Sequence, residues 1–310
     1  MGISIIVPAY NSEKFLAAAI QSVQAQSLPD WELVVVNDGS TDQTGPIADK
    51  FARRDRRIRV VYQENAGAGA ARNRGLAETR KDFEYVKFLD SDDLLEADAL
   101  EISLQVLKQD QEAVGAHGLL RYIDKEDKPL ASGGSYIWPE RRRGIQGKIL
   151  KTWPVTAPTT FEVLAYSNFI PTGAIMIRRA AIDRVGGFDP SLKIVEDWQM
   201  WLLLSRLGHI AFINRVLLNY RRHENNITNT EALKRVNNIE RGFLESIYRS
   251  VDLNDKEKTI LSLGYRYRKL YSAKIQLSYA VRKLSRRRLT EAAKELQGAV
   301  GHIVCAIKRG

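Results

Sequence analysis

The 310 residues include one cysteine, Cys305. An internal disulfide is thereby excluded, as is any zinc site built from several thiolates, and the usage suits a reducing compartment. Long hydrophobic runs are missing too: no window approaches the roughly 18 apolar residues of a spanning helix. The start, MGISIIVPAY, has no basic stretch ahead of its apolar run, which is too short for a secretory signal. The expectation is a cytoplasmic protein, free or bound at a surface. Acidic charge is absent where basic charge is dense. No Asp or Glu occurs between Lys258 and Thr290, whereas nine Lys and Arg run from Arg266 to Arg288. Residues 1–224 balance 29 basic against 29 acidic side chains, and 225–310 hold 18 against 8, so the net charge of +10 belongs entirely to the tail. A composition boundary near 225 therefore separates two parts with different partners.

What is present supports a core, since 44% of the residues are hydrophobic. Short β-rich runs (ISIIVP, WELVVV, IRVVY, EYVKFL) alternate with helical patterns over the first hundred residues, which predicts βαβ units feeding a parallel sheet covered on both faces. Carboxyl ends of such strands share one crevice, where open α/β sheets bind ligands. PAYN at 8–11, NDGSTD at 37–42 and DSDD at 90–93 all fall at strand exits. Further on, the pattern predicts a helix near 96–109, a strand near 112–117, an irregular excursion over 121–160, a helix over 195–208 and a strand pair in HIAFINRVLLNYRRH. From about 230 the chain reads as helices.

Each polar cluster admits two readings. In DSDD, Asp90 and Asp92 project to one side of an extended exit and suit a hard divalent cation, while Asp92 or Asp93 could instead cap the following helix. Asp38 is either a ligand contact or a turn former. In NAGAGAARNRG the glycines allow close backbone approach, and Arg72 and Arg74 could meet phosphates or merely be solvated. The third glycine of a dinucleotide fingerprint is missing, so that motif is weak. Glu196 and Asp197 stand at a predicted helix start, where the dipole favours acids, yet a carboxylate there could also act as a general base. His223 could be a ligand or a structural histidine.

Taken in order and at their spacing, SIIVPAYN, VVVNDGSTD, NAGAGAARNRGL, FLDSDD, GGFD and EDWQMW resemble the family 2 glycosyltransferases of GT-A fold, over about residues 3–224. The resemblance implies an α/β fold with a Rossmann-like sheet of GT-A type covered by helices. It divides the chain into a glycosyltransferase domain over 1–224, with a nucleotide-sugar half to about 117 and an acceptor half to 224, and a basic helical extension over 225–310. It further implies inverting transfer from a nucleoside diphosphate sugar, most often a UDP-sugar, to a hydroxyl of a glycan or lipid-linked glycan, assisted by Mn²⁺ or Mg²⁺. Carried over residue by residue, Pro8, Ala9, Tyr10, Asp38, Gly67, Arg72, Asp90 and Ser91 line the nucleotide-sugar pocket. Asp92, with Asp90 and His223, holds the metal, and Asp197 is the base beside Glu196. A non-catalytic sugar-nucleotide-binding scaffold and a nucleotidyltransferase are the competing readings.

In the tail, Leu263, Tyr267, Leu270, Tyr271, Leu277, Val281 and Leu284 recur at spacings of three and four among the basic residues. Such a helix over 258–290 could lie on an anionic membrane surface at the cytoplasmic face, or pack its apolar side on the catalytic domain. No recognised module points to nucleic acid.

Overall fold

The computed structural model describes residues 2–130, 141–146, 149–154, 157–192, 194–224, 226, 243, 246, 247, 252–285 and 289–308. In chain order the elements begin β1 (Ile3–Ala9), α1 (Leu16–Gln24), β2 (Trp31–Asp38), α2 (Thr44–Ala52), β3 (Ile58–Gln63), α3 (Ala68–Glu78), β4 (Tyr85–Phe88), β5 (Leu94–Leu95), α4 (Ala99–Gln109) and β6 (Gly115–Ile123). They continue with β7 (Arg141–Gln146), β8 (Ile149–Pro154), α5 (Phe161–Leu164), β9 (Ile175–Arg178), α6 (Arg179–Val185), α7 (Glu196–Ser205), β10 (Ile210–Arg221), α8 (Asp255–Ser285) and α9 (Leu289–Lys308). Two compact units result: residues 1–140, 155–160 and 170–247, and residues 141–154, 161–169 and 248–310. The first unit thus runs past the composition boundary at 224, and the β7–β8 hairpin lies in the second.

Eight strands of the first unit form one sheet in the order β3-β2-β1-β4-β9-β6-β10-β5. β1 pairs in parallel with β2 and β4, and β2 with β3. β1, β2 and β4 are buried along their whole length because both faces of the sheet are covered there, whereas β3, at the sheet's edge, is only partly buried. Ile3, Ile5, Val7, Leu33 and Val35 share a core with Leu16, Ile20, Leu100 and Leu107 from α1 and α4, while Val34 and Val36 meet Ala71 of α3 on the opposite face. Each fully buried aliphatic side chain contributes roughly 1.5–3 kcal/mol.

The parallel pairing expected over the first hundred residues is present in β1 to β4, and the rest of the sheet adds strands of both directions. β9 runs antiparallel between β4 and β6, and β5 runs antiparallel to β10. Hydrophobic pattern registers burial, not strand direction, so IMIR reads the same either way. The expected strand pair at 209–223 is the single strand β10, whose pairing with β6 shifts register around Val216. Exposed Asn214 and Arg215 mark that irregularity, and a bulge interrupts alternation much as a turn does. Nor does Asp92 or Asp93 cap a helix: Leu94–Leu95 form β5, and α4 starts only at Ala99.

One buried charge stands out. Lys87, within β4, is fully buried, its ammonium 3.4 Å from the Ile175 carbonyl and paired with no carboxylate among the described residues. Burial pushes its pKa down to about 7. An unfolded lysine titrates near 10.4, so between pH 7 and that value the unfolded chain binds the extra proton and stability rises with pH. Replacing Lys87→Met should stabilise the fold at pH 7 by on the order of 2 kcal/mol and flatten the rise toward pH 10. Urea titrations of both proteins at pH 7 and pH 10 check this; parallel pH dependences would refute it.

Candidate active site

The carboxyl ends of β1, β2 and β4 lie side by side, and the polar clusters there are tied to one another. Pro8, which has no N–H to offer, falls just past the last β1–β4 pair, Ile6 with Phe88. Ala9 closes β1, and Tyr10 is half exposed beyond it. Ser12, in the same exit loop, shares a 2.7 Å hydrogen bond with Ser91. The β1 exit and the DSDD turn are thereby fastened together through two hydroxyls, which is what Ser91 does here.

Asp38 ends β2, buried. Its Oδ1 accepts from Gln63 Nε2 at 2.7 Å and from the Ala66 N–H at 2.9 Å, and its Oδ2 accepts from the Gly67 N–H at 2.9 Å. A carboxylate has about four acceptor positions, so one remains. Asp38 thus fixes the loop that launches α3. Gly67 closes that loop at φ +90°, and open space surrounds the place a side chain would fill; backbone conformation, not crowding, calls for glycine.

From the first turns of α3, Arg72 reaches back into the interior. Its Nη2 donates to Asp90 Oδ1 at 2.8 Å and its Nη1 to Glu196 Oε1 at 2.7 Å. Burial works against the guanidinium charge, but the two carboxylates more than offset it and hold Arg72 firmly protonated. This single side chain joins DSDD to the first turn of α7, 124 residues from Arg72. Asp197 follows Glu196 on that turn, and its Oδ1 accepts from the Trp198 N–H at 2.6 Å. The helix starts from Val195, a β-branched residue at φ +68°. Such a conformation costs about 1–3 kcal/mol and persists only where neighbours enforce it.

GGFD packs on the same helix through Phe188 and Trp201. Gly186 and Gly187 both have positive φ, and a side chain on Gly187 would collide with Asn73 Oδ1 at 2.6 Å. The clearance lets the Asn73 amide bond both ways with Phe188, accepting from its N–H at 2.8 Å and donating to its carbonyl at 2.7 Å. Phe188 then sits edge-on to Phe88 and Trp201. Neither Asn73 nor Phe188 was expected to matter; the only sequence signal for them was the glycine pair.

The last corner is Asp92 and Asp93. Asp92 Oδ2 lies 2.8 Å from His223 Nε2, and the imidazole ring packs on Phe15. Asp93 is buried, accepting from the Arg221 N–H at 2.9 Å. Burial first, then the neighbouring carboxylates, push both acids above the ordinary range, with His223 pulling Asp92 back. Arg221 was missed in the sequence. It is buried beneath the turn, donating through Nε to the Asp92 carbonyl at 2.7 Å, pairing with Asp127, and lying over Phe15. Its Nη2 has no partner among the described residues.

A divalent cation is implied at this corner. Among the described residues no three His, Cys, Asp or Glu side chains converge into a complete ligand set. The donors nevertheless suit a cation that draws the rest of its shell from phosphate and water. Asp92 supplies a hard oxygen beside an imidazole, and adjacent carboxylates gain from a positive charge between them.

Comparisons with known proteins bear on the family and the fold. The profile of "Glycosyl transferase family 2" matches residues 4–185. The putative teichuronic acid biosynthesis glycosyltransferase TuaG of Bacillus subtilis is 31% identical over 234 residues, covering 74% of this chain and 82% of TuaG. Chondroitin synthase of Escherichia coli is 31% identical over 224 residues, 72% of this chain but only 29% of that protein. S. aureus TarS 1–349 in complex with UDP-GlcNAc has the same fold, with a TM-score of 0.63 at 20% identity over 99% of this chain and 81% of that one. With the profile spanning more than half the residues, from β1 to the end of α6, and TuaG matched along most of its length, the chain belongs to glycosyl transferase family 2 and is a glycosyltransferase of GT-A fold.

Proposed function

We propose that the enzyme transfers a sugar from a UDP-sugar to a hydroxyl of a glycan or lipid-linked glycan in a single inverting displacement. The observation that carries this reading is the Arg72 fork, which brings the acidic β4 exit and the two acids of α7 into one cluster. The nucleotide would lie along the β1 and β2 exits, against Pro8, Ala9, Tyr10 and the Asp38-anchored loop. UDP is favoured because TarS, of the same fold, is described in complex with UDP-GlcNAc and with UDP.

Asp92 and His223 would hold Mn²⁺ or Mg²⁺, which when bound offsets charge growing on the departing nucleoside diphosphate. Arg221 positions that corner from below by fixing the Asp92 carbonyl. Asp197 would take the proton of the acceptor hydroxyl as its oxygen attacks the anomeric carbon and the bond to the diphosphate breaks. Glu196 is held by Arg72 and therefore serves position, which leaves the base role to Asp197. The acceptor is proposed to be reached at the cytoplasmic face of a membrane, a reading supported by the basic tail.

Calorimetric titration with UDP-, GDP- and dTDP-sugars, with and without Mn²⁺, tests the donor class. A UDP-sugar should bind in the micromolar to millimolar range, at least tenfold tighter with metal. Equal binding of all three nucleotides, or none of any, would overturn it.

A further inference from the structure

The two long helices of the second unit are apolar on the wrong side. α8 and α9 approach so closely that a side chain on Gly298 would meet Gln276 Oε1 at 2.7 Å, and their buried positions include Ala273, Ala280, Ala299 and Ala306. Ile260, Leu261 and Tyr265 near the start of α8 are buried too, but further along both helices larger apolar residues are left outside. On α8, Leu270, Tyr271, Leu277 and Val281 are 41%, 45%, 40% and 64% exposed. At 100° per residue Leu270, Leu277 and Val281 share a stripe with the exposed cations Arg266 and Lys274, and Tyr271 lies to one side of it. On α9, Leu296, Val300, Val304 and Ile307 are 39%, 59%, 42% and 67% exposed, spaced four, four and three residues apart. A water-facing helix ordinarily has the reverse pattern.

We propose that α8 and α9 form a docking surface for an anionic phospholipid membrane. Charge selects the occupant. The sequence holds no acid between Lys258 and Thr290, and the exposed cations Arg266 and Lys274 on this stripe complement an anionic sheet, while protein surfaces mix both signs. Shape agrees: α8 has 31 residues, about 46 Å of helix lying along the surface, with Tyr271 beside the stripe, of the kind that settles at headgroup level. No helix among the described residues is long and apolar enough to cross a membrane, so the association is peripheral. The proposal deepens the reading of a membrane-borne acceptor but is independent of the donor chemistry.

The full chain is floated with vesicles of phosphatidylcholine containing 30% phosphatidylglycerol, and with phosphatidylcholine alone, at low and at high salt. Wild type should float with the anionic vesicles at low salt and release partly at high salt. Lys274→Glu, a change of two charges, should weaken partitioning about tenfold or more, and Val300→Ser with Val304→Ser about tenfold. Melting temperature and UDP-sugar affinity should stay at wild-type values in both variants, so a failed donor reading and a failed docking reading give different results. Absence of flotation at low salt overturns the proposal, as does flotation that neither variant weakens. Sedimentation showing self-association without lipid, abolished by the same exchanges, overturns it in favour of a second copy of the chain.

Discussion

Asp197→Asn should lower kcat by roughly 10³-fold while donor affinity changes by less than about threefold, as loss of a general base typically costs 10²–10⁴. The exchange suits the test because it keeps the size of the side chain. Asp197 accepts from the Trp198 N–H, and the amide oxygen of asparagine still accepts there. Basicity is lost. Product formation under saturating donor, followed alongside calorimetric donor binding, reads both quantities. Transfer at the wild-type rate would remove Asp197 from the reaction. Glu196→Gln serves as contrast: its bond to Arg72 survives as a weaker neutral one, so donor affinity and stability should move before turnover does.

Arg72→Met should destabilise the fold by about 3–5 kcal/mol, the cost of stranding charge after one member of a buried ion pair is removed. Two carboxylates lose their partner at once. Glu196 keeps 12% side-chain exposure and is the costlier, while Asp90 at 33% is partly rescued by water. Urea denaturation gives the loss, and the double variant with Glu196→Gln should recover part of it, a coupling of about 1–3 kcal/mol. Arg72→Lys should recover stability but not donor affinity, because an ammonium cannot hold two separate carboxylates in the planar fork of a guanidinium. A loss under 1 kcal/mol in Arg72→Met would show that the fork does not bind the two motifs together.

How much of this was legible in the sequence depended on distance along the chain. β1, β2, β3 and β4 were readable because each carries adjacent β-branched or aliphatic residues, as buried strands do, and polar clusters follow at the exits of β1, β2 and β4 within a few residues. The neighbourhood of Arg72 and Glu196 was not readable, since nothing in ARNRG says that its arginine turns inward to meet a residue 124 positions later. Asp38 shows a different limit. Its place at a strand end was evident, but that two of its bonds would go to the Ala66 and Gly67 N–H groups depends on how the glycine loop closes. Lys87 inverted the usual inference, since a lysine within YVKF suggests a solvent face and the residue is instead sealed in the core. Arg221 lay unnoticed in RRH because its role depends on a backbone carbonyl 129 residues earlier.

That last span also governs when the corner can come into being. The triple-acid turn leaves the ribosome far ahead of the strand that carries Arg221 and His223, and the pairs of Leu94 and Leu95 with Asn219 and Leu218 are what draw the two together. Until β10 has emerged, the nascent sheet has an edge without β5, and the acidic turn has Arg72 beside Asp90 but neither Arg221 nor His223 beside Asp93 and Asp92. That corner is therefore assembled late in synthesis, and a fragment severed ahead of β10 would retain the β1 to β4 scaffold yet lack Arg221 and His223, two of the residues proposed to build the donor site.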